Sequence, residues 1–348
     1  MGFSLYLSGE LDRKFSGNEY DFSQTQEWND KMGHTPAWRT LFFARLPIPF
    51  FGAGLCVLLF YFLKKVLHWF PAFLASLWLG NHPLMIKFSS LALQDIPAFF
   101  FALLFLVSLI SIDWRRLDEL SKGKRISRLI ITGLLLGLAI GTKMNNLILL
   151  LILVIYLFWI MFSSFSPNQN KFEFNKARFN NWLFKNAIII LTGFIIFEVS
   201  NPYLYSHTSL ALFQLNNIVK SYRASSPEQA LWNFWEKIRF FNQWVCYNQQ
   251  IILKWAGYFL AGLGLFFLLR KIWRKEELDK NILSLLIVCM FVLLNLWWIS
   301  LAWIRLLLPL LIPLAILIGY GLEGILNLVK KSVKKLIFSS ARFKMNSK

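Results

Sequence analysis

Residues 94–143 read QDIPAFFFALLFLVSLISIDWRRLDELSKGKRISRLIITGLLLGLAIGTK. Two apolar runs flank a polar middle that holds Arg115, Arg116, Lys122, Lys124, Arg125 and Arg128. The far ends of the pair carry one charge each, Asp95 and Lys143. Each run suits a helix crossing hydrocarbon, and loops dense in Lys and Arg stay on the cytoplasmic side of a membrane. The stretch therefore predicts a helical hairpin whose turn lies inside and whose two open ends lie outside.

The same pattern extends in both directions. Apolar runs bounded by charges occur near 41–63, 66–80, 97–113, 127–142, 145–163, 184–200, 251–270, 282–303 and 306–328. Basic clusters follow every second run: Lys64 and Lys65, then the group at 115–128, then Lys171, Lys176, Arg178 and Lys185, then Arg270, Lys271, Arg274, Lys275 and Lys280, then the tail from Lys330 to Lys348. Hydrophobic residues make up 57% of the chain and charged residues 16%, with 35 Phe, a balance too apolar for a water-soluble domain of this length. The predicted fold is all-α, a polytopic membrane bundle of about nine transmembrane helices with external loops.

This reading divides the chain into an external polar segment 1–40, an N-terminal bundle 41–200 with a second external loop 81–96, an external loop 201–250, C-terminal helices 251–329 and a basic cytoplasmic tail 330–348. An external N-terminus with no apolar signal before it leads to the expectation that a first helix is missing. Within 201–250, aromatic and basic residues spaced three to four apart over 231–244 predict an amphipathic helix in the outer interface. It either caps the bundle or forms a platform for a lipid substrate.

The formal net charge of +19 follows the ends of apolar runs, so topology explains it better than nucleic acid does. Cys56 and Cys289 sit in apolar runs and Cys246 stands alone, so no disulfide framework or Cys-rich metal site is implied. The chain contains no Gly-x-x-x-x-Gly-Lys-Ser/Thr loop, no His-Glu-x-x-His and no Gly-x-Ser-x-Gly. Chemistry with ATP, nicotinamide or zinc is not indicated; no organic cofactor is expected, and a divalent cation stays open.

Polar residues at the outer edge are the functional candidates. An ionised carboxylate near hydrocarbon is costly unless it is paired or faces a wet cavity, which singles out Asp95. Asp95 ahead of Pro97 also suits a helix cap, and the two roles are compatible. His82 and Lys87 share its loop, and an imidazole and an ammonium there could bind a phosphate and move a proton. Read blandly, His82 is an interfacial loop residue and Lys87 a snorkelling one. Lys143 ends a small-residue stripe of Gly133, Gly137 and Gly141, which predicts close helix packing. Lys143, Arg305 and Arg45 are cations at outer ends, where they suit a lipid phosphate or pyrophosphate unless they snorkel or pair with carboxylates.

Arg45-Leu46-Pro47, Asn81-His82-Pro83, Ala92-Leu93-Gln94-Asp95, the Gly133 to Lys143 stripe, and Arg305 with Pro309 and Pro313 stand in an order seen in one superfamily. The chain resembles the polytopic glycosyltransferases of the GT-C fold, and most closely the phospholipid-carrier-dependent, dolichyl-phosphate-mannose-protein mannosyltransferase-like group, which includes aminoarabinose transferases. The resemblance covers roughly 35–330. It implies transfer of a sugar from a polyprenyl-phosphate carrier to a lipid, glycan or protein acceptor on the outer face of the plasma (inner) membrane, with a carboxylate taking the acceptor proton. Family members place one acidic residue in the first external loop and a second in the next; Asp95 matches the second. Glu10, Asp12, Glu19 and Asp21 are stand-ins for the first, without the Asp-Glu context of the family. On this reading Asp95 is the candidate catalytic residue, with a positioning role, and His82, Lys87, Lys143 and Arg305 bind substrate. A secondary transporter and a non-catalytic membrane subunit are the rivals; no internal repeat of the transporter kind is visible.

Overall fold

The computed structural model describes residues 25–32, 38–91, 94–114, 116–163, 176–201, 236, 239, 251–298 and 308–346. Every regular element among them is helical. Two short helices, α1 (Gln26–Lys31) and α2 (Trp38–Arg45), lead to α3 (Pro47–Lys64), α4 (Trp69–Gly80), α5 (Pro83–Ser89) and α6 (Asp95–Ser111). After a 3-10 turn at Leu117–Glu119 come α7 (Lys122–Thr142) and, past a second turn at Met144–Leu147, α8 (Ile148–Ser163) and α9 (Lys176–Ser200). The chain ends in α10 (Ile251–Trp273), α11 (Leu278–Trp298) and α12 (Leu308–Asn346).

A helix thus lies on each of the nine apolar runs. Among the described residues, five are long and apolar enough to cross a membrane by themselves, and α4, α6 and α8 are shorter apolar helices that rely on neighbours. On the first run α2 passes into α3 through Leu46, which keeps helical angles ahead of Pro47, and the two together form one span with Arg45 exposed at the junction. The last continues beyond its apolar part, so that the tail from 330 is helical to Asn346. At 39 residues, α12 reaches about 58 Å, roughly twice the hydrocarbon thickness.

Contacts between consecutive neighbours run α9, α7, α6, α3, α4, α12, α11, α8 and back to α9, which closes a ring, and α10 packs on the outside against α12. Leu59, Phe62, Leu63, Leu103, Leu106, Phe291 and Tyr320 fill the interior. The outward faces carry Phe50, Val57, Leu191, Phe194, Ile195, Phe259 and Phe266, all exposed, a surface suited to lipid and not to water.

Lipid is as apolar as these helices, so their association rests on close backbone approach and polar contacts. A Cβ on Gly133 would stand 2.5 Å from the Ile189 carbonyl oxygen, and one on Gly137 would press on that of Gly193. The predicted small-residue stripe is therefore the seam between α7 and α9. A second seam, unforeseen in the sequence, joins α10 to α12, where Gly264 faces the Leu317 carbonyl oxygen and Gly321 that of Leu260. Ser108 and Thr132 share a hydroxyl hydrogen bond of 2.9 Å between α6 and α7, and Trp159 Nε1 donates to Asp279 across α8 and α11 at 3.2 Å.

Candidate active site

Asp95 is the first residue of α6. Gln94 occupies the cap position with helical backbone angles (φ −77°, ψ −6°) and makes no side-chain cap bond, and the Gln94 carbonyl accepts the first helical bond from Ala98 N–H at 3.0 Å. Asp95 therefore does not cap the helix, as one reading of the sequence expected; it lies one residue inside, with Pro97 still in the first turn. Its carboxylate turns to Lys143, whose Nζ donates to Asp95 Oδ1 in an ion pair. The Asp95 side chain is 4% exposed and that of Lys143 16% exposed.

The pair is built by one chain reversal and one helix end. The antiparallel hairpin of α6 and α7 returns the chain to its starting end after 48 residues, and there α7 stops at Thr142 as Lys143 adopts an extended conformation (φ −158°, ψ 121°). Asn146, in the turn that follows, is buried and donates both to the Ala98 carbonyl of α6 at 3.1 Å and to the Ala139 carbonyl of α7 at 2.8 Å. One amide side chain thus ties the first turn of α6 to the last turn of α7 and holds Lys143 opposite Asp95. Helix ends favour these charges, since a carboxylate in a first turn and a cation at a last turn both oppose the local peptide dipoles.

The other predicted residues separate around this centre. His82 is buried, at 1% exposure; its Nδ1 accepts the Leu84 N–H at 3.2 Å, and its ring lies 5.2 Å from that of Trp78. It caps α5, a local structural task that the His-Pro dipeptide encodes with Pro83 at the first helical position. Lys87 is exposed near the end of α5 and, among the described residues, forms no ion pair. Arg305, the amphipathic stretch 231–244 apart from the exposed helical residues Glu236 and Arg239, and the acidic residues Glu10, Asp12, Glu19 and Asp21 lie outside the described residues. Asn146 went unnoticed in the sequence, although a polar residue three positions beyond a span-ending lysine carried the signal. Among the described residues no cluster of three or more His, Cys, Asp and Glu side chains could hold a metal ion.

The opposite end of the same hairpin is held differently. Asp118, in the turn between α6 and α7, accepts from Lys185 at 2.9 Å, Asn181 at 3.0 Å and Arg125 at 3.3 Å. Partial burial pushes its carboxyl up, but the Lys185 bond and charge, joined by Asn181 and Arg125, outweigh this and hold it below the ordinary Asp value.

Residues 10–201, more than half of the chain and all of the region that builds the Asp95 and Lys143 pair, match the profile of the dolichyl-phosphate-mannose-protein mannosyltransferases. The chain belongs to that family. Its fold is also similar to that of a GT-C enzyme, the oligosaccharyltransferase of Archaeoglobus fulgidus solved as a complex with Zn and sulfate, with a TM-score of 0.52 at 12% identity. The similarity covers 90% of this chain and 41% of the oligosaccharyltransferase, so the chain spans about two fifths of that protein's length. At such identity the likeness concerns the fold alone. No curated protein matches the sequence. The mannosyltransferase family and the apolar helices make this an integral membrane protein.

Proposed function

We propose that the chain is a membrane glycosyltransferase that moves a sugar from a polyprenyl-phosphate carrier to a lipid, glycan or protein acceptor, with the Asp95 end of the bundle on the outer face of the plasma membrane. The observation that carries the reading is the buried ion pair of Asp95 and Lys143, within the family match and at the end of the bundle away from the basic loops.

In this reaction the acceptor oxygen attacks the anomeric carbon, the bond from that carbon to the carrier phosphate breaks, and the polyprenyl phosphate leaves with the bonding electrons. The acceptor proton passes to a carboxylate of the N-terminal segment, among Glu10, Asp12, Glu19 and Asp21. Lys143 is the more exposed partner of the pair, so a donor phosphate reaches it first. Its ammonium then meets the negative charge that grows on the departing phosphate. Asp95, sharing its cation with the phosphate, regains lone pairs to accept the acceptor hydroxyl and aim it. Lys87 adds positive charge at the same face and draws the lipid phosphate in, and Arg305 is assigned the same task.

Membranes expressing the chain, supplied with radiolabelled polyprenyl-phosphate sugars, test this reading. Transfer is expected with the native chain and a loss of about 100-fold or more with Asp95→Asn at unchanged protein level. Undiminished transfer by Asp95→Asn would remove Asp95 from the reaction and leave it a structural partner of Lys143.

A further inference from the structure

At the end of the bundle opposite Asp95, the last turns of α10, the turn into α11 and the middle of α12 line an open cavity of about 240 Å³. Four cations line it, Arg270, Lys271, Arg274 and Lys331, against two carboxylates, Glu276 and Glu323. Glu323 is already engaged: one of its oxygens accepts the His68 backbone N–H at 3.1 Å and the other faces Asn327 Nδ2 at 3.5 Å. Lys271 leans over the Tyr320 ring, 5.5 Å from its centre, and reaches the Val66 carbonyl at 3.4 Å. Among the described residues no ion pair joins Arg270, Arg274 or Lys331 to a carboxylate. A topological bias toward positive loops accounts for the sign of these charges, but not for their convergence on one concavity that keeps an excess of positive charge.

The surroundings are apolar. Phe267 and Leu328 form part of the wall, and Phe266, Leu269 and Trp273 present an exposed face of α10 beside the mouth. Past the cavity α12 carries Val329, Val333, Leu336 and Ile337 exposed at helical spacing among Lys330, Lys334 and Lys335, the pattern of a helix in a membrane interface. Apolar surface thus continues from the cavity mouth into the bilayer-facing side of α10, where it serves acyl chains and has no use for a free anion.

We propose that this cavity binds the phosphodiester headgroup of an anionic phospholipid from the leaflet opposite the Asp95 end. The two guanidiniums take the phosphate oxygens and Lys331 closes over them, while the acyl chains follow the Phe266 and Leu269 face. The site is independent of sugar transfer at the other end of the bundle.

Native mass spectrometry of the full chain in detergent, titrated with phosphatidylglycerol and with phosphatidylcholine, reads the occupancy directly. The native chain is expected to retain phosphatidylglycerol in preference. Arg274→Gln, which removes one exposed cation, should lower its affinity about five-fold, and Arg270→Gln, Arg274→Gln and Lys331→Gln combined at least ten-fold. Lys330→Gln, Lys334→Gln and Lys335→Gln combined, the same change in charge outside the cavity, should leave it within about two-fold. Equal losses in the two triple variants, no preference between the lipids, or displacement of bound lipid by inorganic phosphate at millimolar concentration would each overturn the proposal.

Discussion

One hairpin, α6 and α7, carries a lysine-bound aspartate at each of its ends, and the two are built in opposite ways. Among the described residues Asp95 meets a single cation, Lys143, with side-chain exposures of 4% and 16%. Asp118 meets Lys185, Arg125 and Asn181 while 44% of its side chain remains exposed. The Asp118 cluster is redundant and its carboxylate is wet, although Lys185 is only 11% exposed, so it acts as a clasp that fastens the turn to α9 and loses little if one strand of it is cut. The Asp95 pair is dry and, among the described residues, stands without a second cation, so each charge depends on the other. An arrangement that costly is a poor fastening and a good place to hold a charge ready for a phosphate.

The comparison breaks first at Lys143. Lys143→Ala leaves the Asp95 carboxylate buried without its cation and should cost about 3–5 kcal/mol, visible as a large fall in melting temperature in detergent. Loss below about 1 kcal/mol would mean that water reaches Asp95 and the two ends are alike. A middle effect is expected at Asn146. Asn146→Ala removes two hydrogen bonds and should cost about 1–3 kcal/mol, and because Lys143 then wanders, sugar transfer should fall by more than the stability loss explains.

The smallest effect belongs to the clasp. Asp118→Asn should destabilise by less than about 1 kcal/mol at neutral pH. Its pH dependence sharpens the contrast, because the folded carboxyl is held below its ordinary value. The stabilisation it gives is complete above the unfolded value of about 4 and fades as the pH falls through the depressed one. Chemical denaturation of the native chain and of Asp118→Asn should therefore differ at neutral pH and converge in strong acid. A difference that persists in acid would mean that the carboxylate charge is not what binds the turn.

Much of this architecture is legible in the sequence, because the bilayer imposes a length and a composition on each span. The Lys and Arg clusters, read with the hydropathy, set which ends lie together. That logic already placed Asp95 and Lys143 at the same outer edge, ahead of the span 97–113 and after the span 127–142, and antiparallel neighbours bring such ends into contact. What the sequence could not supply was the local backbone. Whether Asp95 caps α6 or stands inside it turns on the conformation of Gln94, and that one-residue difference decides whether the carboxylate binds its own helix or a lysine 48 residues away. His82 also has a local task that the His-Pro dipeptide signals: its Nδ1 accepts the Leu84 N–H two residues on, and its ring packs against Trp78 four residues before. The second glycine seam, between α10 and α12, escaped notice because its partners are scattered across two helices far apart in the chain.

The claim that the Asp95 pair is kept for chemistry is tested most directly by replacing both partners at once. Asp95→Leu with Lys143→Leu exchanges a dry ion pair for apolar side chains, a change that is often close to neutral for stability. Sugar transfer and melting temperature measured on the same preparation should then part company: a melting temperature near that of the native chain, with transfer lost by about 100-fold or more. Transfer at the native rate in this double variant would contradict the account and return the pair to a structural role.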